Sequence, residues 1–397
     1  IEVEKVEIKR EPVSGDPAAA IGADGLVYIG DAVFVEGARP DVETAYQGYP
    51  LNYRAGWGYM MLTSFLPNSG NGTFTIYAIA YDKEGNRVTL GTKTIICDNA
   101  NSELPFGTID TPGQGGVVSG AEYVNFGWAL TPQPKYIPYD GSTIWVFVDG
   151  VPLGHPVYDN YRVDIATLFP GYANSDGAVG YYYLDTTAYE NGVHSIAWSV
   201  TDSEGKTEGI GSRYFKVFNS GVGSLGGLMG GKEKGLELKE WRSYEEVAGL
   251  NNRRESVYVK KGFTLEGQAR EHYPDEEGVV WIEIRELERV AVSLGSDPFW
   301  LNRERLNVGK EELRKQGIFF DSETASSENR SVYTGYLRVK DELRRLPIGS
   351  RLDSARGVFY WQPGPGFIGE YDLVFLERTS SGEMTKLIIR IKIKPKF

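Results

Sequence analysis

The chain has 397 residues, with 42 Lys+Arg against 54 Asp+Glu, a formal net charge of −12. One cysteine, Cys97, and three histidines exclude a disulfide scaffold and any zinc site built on a cysteine cluster. An acidic chain without a basic tract is a poor match for nucleic acid, and no apolar run approaches the ~18 residues of a membrane-spanning helix. The 49 glycines and 19 prolines mark a turn-dense fold, and the length predicts about two to four domains. The first residue is Ile rather than Met, which predicts a processed or truncated piece.

In chain order, Val3–Ile8 predicts a strand, followed by an excursion from Arg10 to Gly25 and a second strand at Leu26–Gly30. A series of short motifs then recurs downstream. Arg39-Pro-Asp41 returns as Arg162-Val-Asp164, and Gly48-Tyr49 as Gly171-Tyr172. Gly58-Tyr-Met-Met-Leu62 returns as Gly180-Tyr-Tyr-Tyr-Leu184, and Asn71-Gly-Thr-Phe-Thr-Ile76 as Asn191-Gly-Val-His-Ser-Ile196. Asp82-Lys-Glu-Gly85 returns as Asp202-Ser-Glu-Gly205, and Leu90-Gly-Thr92 as Ile210-Gly-Ser212. The spacing drifts by only a few residues, so 1–100 and 105–219 are expected to be two copies of one domain.

Each copy reads as β. Ile144–Val148 leads into the turn pair Asp149-Gly150 and then Val151–Gly154, a hairpin signature. Ser195–Thr201 alternates, with Ile196, Trp198 and Val200 against Ser195, Ala197 and Ser199, as a half-buried strand would. About seven short strands with turns every 8–12 residues predict an immunoglobulin-like sandwich held by packing alone. The second copy opens with Gly107–Pro112, Val117–Gly120 and Val124–Leu130, which have no counterpart in the first. Roughly forty residues, about two strands, are therefore expected to be missing from the first copy.

After Phe218 comes a Gly-rich linker, expected over 220–235, and beyond it a charged region, 236–397. There Val279–Leu294 predicts one long strand or a bent pair, and Lys310–Gln316 a helical turn stopped by Gly317. Gly357–Trp361, Gly369–Phe375 and Lys386–Ile393 predict further strands. The expected fold class is all-β: tandem Ig-like sandwiches, a Gly-rich linker and a C-terminal β-sandwich region.

Residues 1–219, with Gly127-Trp-Ala-Leu130, Val148-Asp-Gly-Val151 and Leu184-Asp-Thr-Thr187, resemble a bacterial surface Ig-like repeat. Residues 346–376, running from Leu346-Pro-Ile-Gly-Ser350 through Phe359-Tyr-Trp-Gln-Pro363 to Leu376, are similar to the Ig or cadherin-like module of bacterial extracellular proteins. The resemblance implies a secreted or cell-surface location and an architecture, and no reaction.

Candidate chemistry is sparse. Gly221–Gly226 spells GxGxxG but has no βαβ context, and Gly226–Lys232 resembles a phosphate-binding loop except that Glu233 stands where a hydroxyl is needed. His155, His194 and His272 lie in three separate segments, and Ser119 lacks a strand-to-helix turn. No catalytic, cofactor-binding or metal-binding residue is assigned. Asp98, Asn99 and Asn101, with Asp110 nearby, offer oxygens for a possible calcium ion at the junction of the copies, or an ordinary turn. Tyr181 with Tyr183, and Trp145 with Phe147, each share one face of a strand, for stacking on sugars, burial against a neighbour, or core. Asn71-Gly-Thr73 and Asn329-Arg-Ser331 match the glycosylation sequon.

The expected role is a non-enzymatic structural subunit of an extracellular or cell-surface assembly, such as a filament built by intersubunit β-strand or β-interface contacts. The alternative is a carbohydrate-binding or adhesion module. A copy lacking its first strands leaves an open groove, to be covered by an upstream segment, by the Arg10–Gly25 excursion, or by a strand from a neighbouring subunit. Lys386–Lys394, and the region after the Gly-rich linker, qualify as donors by alternation, and deletion of residues 1–10 or 386–397 is expected to abolish assembly.

Overall fold

A computed structural model describes residues 2–219, 241–264, 268–295, 331–364 and 366–395. The Gly-rich stretch 220–235, the helix expected at Lys310–Gln316 and the sequon at Asn329 lie outside the described residues.

The N-terminal sheet starts from alternation. Along β1 (Val3–Arg10), Val6 and Ile8 face inward while Lys5, Glu7 and Lys9 face out. β1 lies between β2 (Val27–Asp31) and β5 (Asn71–Asp82), and β6 (Arg87–Asp98) extends the sheet, giving the order β2-β1-β5-β6. The facing layer is slight. It consists of the two-residue strands β3 (Val33–Phe34) and β4 (Trp57–Gly58), with Phe34 and Trp57 packed on Val6, Ile8 and Ala80.

Residues 106–217 carry two full layers. β7 (Phe106–Thr111), β9 (Tyr123–Leu130), β12 (Val157–Asn160) and β13 (Val179–Leu184) form one sheet in the order β12-β13-β9-β7. The other sheet contains β8 (Val117–Val118), β10 (Ile144–Val148), β11 (Val151–Gly154), β14 (Gly192–Thr201) and β15 (Thr207–Val217), in the order β11-β10-β14-β15-β8. Ile109, Ala129 and Leu184 from the first sheet share one core with Val146, Ile196, Trp198 and Phe215 from the second. Two mainly antiparallel sheets around a common core make a β-sandwich. The expected turn is present: Asp149 and Gly150 have φ of 50° and 78°, the two positive values of a type I′ hairpin.

The C-terminal residues again pack sheet on sheet. β16 (Asn251–Asn252), β19 (Val279–Arg285), β21 (Val332–Val339), β22 (Glu342–Arg344), β25 (Gly369–Arg378) and β26 (Met384–Lys394) form one layer. The other contains β17 (Val257–Gly262), β18 (Arg270–His272), β20 (Arg289–Ser293), β23 (Ser350–Asp353) and β24 (Val358–Trp361). The Val279–Leu294 run resolves into a pair: β19 and β20 belong to opposite layers, and the chain turns between them at Leu287 with φ 69°.

β26 is no slack donor. It pairs antiparallel with β25 along ten residues and parallel with β19 from Ile388 to Lys394. β1, inside residues 1–10, is likewise interior to its sheet. Removing either run would take out a central strand, so loss of assembly on either deletion reports a broken sheet and not a lost donor.

The C-terminal core also takes in Val35 and Ala38 from the first copy and Tyr214 from the second. The Tyr371 hydroxyl donates to the Ala38 carbonyl at 2.5 Å, and Arg344 pairs with Glu43 at 2.6 Å. Trp198 is the largest inward side chain of β14, fully buried, and its indole N–H donates to Asn125 Oδ1 at 2.8 Å. Trp198→Ala removes that volume and leaves the Asn125 amide oxygen unpaired. It is expected to cost ~3–5 kcal/mol, read as a lowered urea midpoint with an unchanged slope.

Candidate interaction surface

The segments 1–100 and 105–219, expected from their shared motifs to be two copies, differ in how one hairpin is covered. In β15, Ile210, Phe215 and Val217 are buried in the sandwich core. The facing layer reaches them through β7: Arg213 donates to Thr108 Oγ1 at 2.9 Å and to the Ile109 carbonyl at 3.0 Å. The outer edge of β15 is occupied by the Gly115–Val118 segment. There Gly115 N–H donates to the Tyr214 carbonyl, Lys216 N–H to the Gly116 carbonyl and Phe218 N–H to the Val118 carbonyl, at 2.7–2.9 Å.

The repeat register places Leu90, Lys93, Ile95 and Cys97 of β6 where Ile210, Arg213, Phe215 and Val217 stand in β15. Among the described residues nothing equivalent to β7, β8 or β9 lies over them. Leu90 is 49% exposed and Ile95 and Cys97 are half-buried, while Ile96, on the opposite face, is 82% exposed. β6 is a twelve-residue strand whose only described partner is β5. A long, unpaired, apolar edge is unusual, because it presents a row of free backbone donors and acceptors to other chains.

The Arg10–Gly25 excursion does not cover it. Arg10 holds Asp16 at 2.6 Å, and the segment then crosses the opposite face of the sheet, where Asp24 meets Lys9 at 2.8 Å and Arg87 at 3.4 Å. Burial works against the charged Lys9 amine, but its bonds to Asp24 and Glu7 outweigh that cost and hold its pKa above the ordinary lysine value. A satisfied ion-pair row anchors the excursion on that face and leaves the Leu90–Cys97 side bare.

Other expected sites resolve into structural roles. Phe147 is fully buried against Arg289, and Trp145 is half-buried and stacks on His155 with ring centroids 4.1 Å apart, so this pair offers no open platform for a sugar. Tyr183 is exposed and meets Tyr181 edge-on at 5.6 Å. His155 Nδ1 lies 2.7 Å from the Ile144 carbonyl, burial lowers the His272 pKa, and Ser119 sits in an exposed loop. Both Asp98 carboxylate oxygens accept from the Asn101 amide at 2.9 Å, Asn99 binds Thr63 and Ser69, and Asp110 pairs with Arg162. Asp98 and Asn101 thus bond each other, Asp110 is engaged by Arg162, and among the described residues no group of three His, Cys, Asp or Glu converges. No described helix is long and apolar enough to cross a membrane.

The half-buried expectation for β14 is corrected. Ser195, Ala197 and Ser199 are as buried as Ile196 and Trp198, because the C-terminal unit packs on that outer face. The sequence reading missed this interface, and with it Arg289, which the sequence marks only as a charge opening an apolar strand.

No family model and no curated protein matches the chain. Among solved structures it is similar to the fibronectin(III)-like modules of CbhA from Clostridium thermocellum, at 9% identity over 73% of this chain and 94% of that one, TM-score 0.18. It is also similar to SGBP-B of the Bacteroides ovatus mixed-linkage glucan utilization locus, solved with a heptasaccharide, at 8% identity over 99% and 61%, TM-score 0.19. A third likeness is to the N-terminal eight Ig domains of the Down syndrome cell adhesion molecule, at 9% identity over 99% and 36%, TM-score 0.21. Scores at this level leave the all-β sandwich architecture to be argued from the strand order itself.

One titratable pair braces the second copy. Asp149 accepts from His194 Nδ1 at 2.6 Å and from Ser195 N–H at 2.9 Å, and His194 Nε2 lies 2.9 Å from the Glu190 carbonyl. Burial alone would lower the His194 pKa, but the Asp149 bond and charge prevail and raise it above 6.5. A raised folded pKa means the stabilisation is fully present below the unfolded value and is lost as pH rises through the folded one. The melting temperature is expected to fall as pH climbs above about 6.5, the unfolded histidine value, and Asp149→Asn is expected to flatten that fall. Calorimetry of both proteins across this range checks it.

Proposed function

We propose that the chain is a non-catalytic structural subunit of an extracellular or cell-surface assembly, joined edge to edge through its N-terminal sheet. The single observation carrying this reading is β6: twelve residues whose outer edge has no partner among the described residues, with exposed apolar side chains, at the position where β15 is paired and covered.

The occupant is a second copy of the chain, presenting β2, the other end of the same sheet. Arg87 and Asp24 are already paired within one copy, but β6 also carries Lys93 and β2 ends in Asp31, so the two edges match in charge. β6 against β6 would instead bring the two copies of Lys93 together near the middle of an antiparallel pair, and like charges opposed across strands are unfavourable. A contact between two different edges is heterologous, and without closure it grows into a filament.

The repeat register identifies Ile96 N–H as the outward-pointing counterpart of Lys216 N–H. Proline at an edge strand removes such a donor and leaves the inner pairing intact. Light scattering and negative-stain microscopy of the purified chain are expected to show species larger than a monomer. Ile96→Pro is expected to return it to monomer with an unchanged circular dichroism spectrum. A wild-type chain that stays monomeric at every concentration, or an Ile96→Pro variant that assembles equally well, overturns the reading.

A further inference from the structure

The interface between the second copy and the C-terminal unit contains a charge without a counter-charge. Arg289 opens β20, whose Val290 and Val292 face the C-terminal core while Ala291 lies in a small cluster with Val358, Tyr360 and Val151. Arg289 is fully buried, with its guanidinium over the Phe147 ring at 3.2 Å from the centroid. Its Nε donates to Gln362 Oε1 at 3.1 Å, and neither Nη1 nor Nη2 has a hydrogen-bond partner. Burial disfavours the charged form, with no neighbouring charge contributing, yet a guanidinium stays protonated in proteins. A buried cation left this way carries a large desolvation cost unless an anion or ordered water meets it.

The facing strands add neutral donors. Phe147 pairs in register with Ala197, and on the same outer face Ser195, Ser199 and Ser212 each have a buried hydroxyl without a partner. Ser195 and Gln362 flank the same glycine, Gly349. A Cβ placed on Gly349 would lie 2.7 Å from the Gln362 carbonyl and 3.0 Å from Ser195 Oγ, and Gln362 is the residue that holds Arg289 Nε. The residues around the guanidinium therefore supply hydrogen-bond donors, an aromatic wall and one amide. Asp149, the nearby carboxylate, is directed to His194 and Ser195 N–H.

We propose that this interface binds a small monovalent anion of the halide class, held by Arg289 Nη1 and Nη2 with serine hydroxyls such as Ser195 Oγ. The anion neutralises the only fully buried guanidinium among the described residues and couples the C-terminal unit to the second copy. It is independent of the β6 edge, so the failure of either idea leaves the other standing.

The test uses the full chain with chloride as the probe. Thermal melts are run at constant ionic strength while sodium gluconate is replaced by sodium chloride, for the wild type and for Arg289→Met, which retains volume and removes the charge. The wild-type midpoint is expected to rise by roughly 2–4 °C with chloride and the variant to show no chloride-specific rise. Chlorine-35 NMR line broadening on the wild type reads binding directly and does not depend on the variant folding. Broadening that bromide competes away supports the site. A chloride-independent wild type without broadening overturns it and assigns the free donors to ordered water.

Discussion

The structure depends on one interface: the outer face of the sheet β11-β10-β14-β15-β8, which is buried under the C-terminal unit instead of facing water. The residues on that face are mostly small, with Ser195, Ala197, Ser199 and Ser212 at or near zero exposure. Small side chains let the two units approach closely, and glycines take the tightest points. A Cβ on Gly150 would lie 3.1 Å from the Trp361 backbone, at a φ of 78° that already favours glycine. The larger side chains, Phe147 and Tyr214, fill the space the small ones leave. Tyr214 enters the C-terminal core itself, so the second copy and the C-terminal unit share packing across their boundary.

The first copy is attached to the same unit at another place. Val35 and Ala38 lie in the C-terminal core, and Tyr371 reaches the Ala38 carbonyl. This attachment uses the β3 side of the first copy, away from β6. These residues are thus held by contacts that make no use of the β5–β6 hairpin. Each exposed apolar group on β6 forfeits burial worth about 25 cal/mol per Å², so the hairpin gains from any partner that covers it.

Periodicity and turn chemistry were legible because they are local. The alternation in β1, the Asp149-Gly150 turn, and the strands at Gly357–Trp361, Gly369–Phe375 and Lys386–Ile393 all appear near their expected places. Partner choice was not. Lys386–Lys394 reads the same whether its edges are free or paired, and only the fold reveals β25 on one side and β19, in parallel, on the other. The Trp145–Phe147 face has the same residue types whether it meets solvent or Arg289.

The amino-acid sequence by itself determined an all-β chain and the positions of its turns, because these follow from side-chain period and backbone preference over a few residues. Tertiary structure alone decided which faces are covered. Residues more than a hundred positions apart, such as Phe147 and Arg289 or Ala38 and Tyr371, come together through the packing of whole sheets. Burial at such contacts depends on shape and distance between layers, and neither is written in the local order of residues.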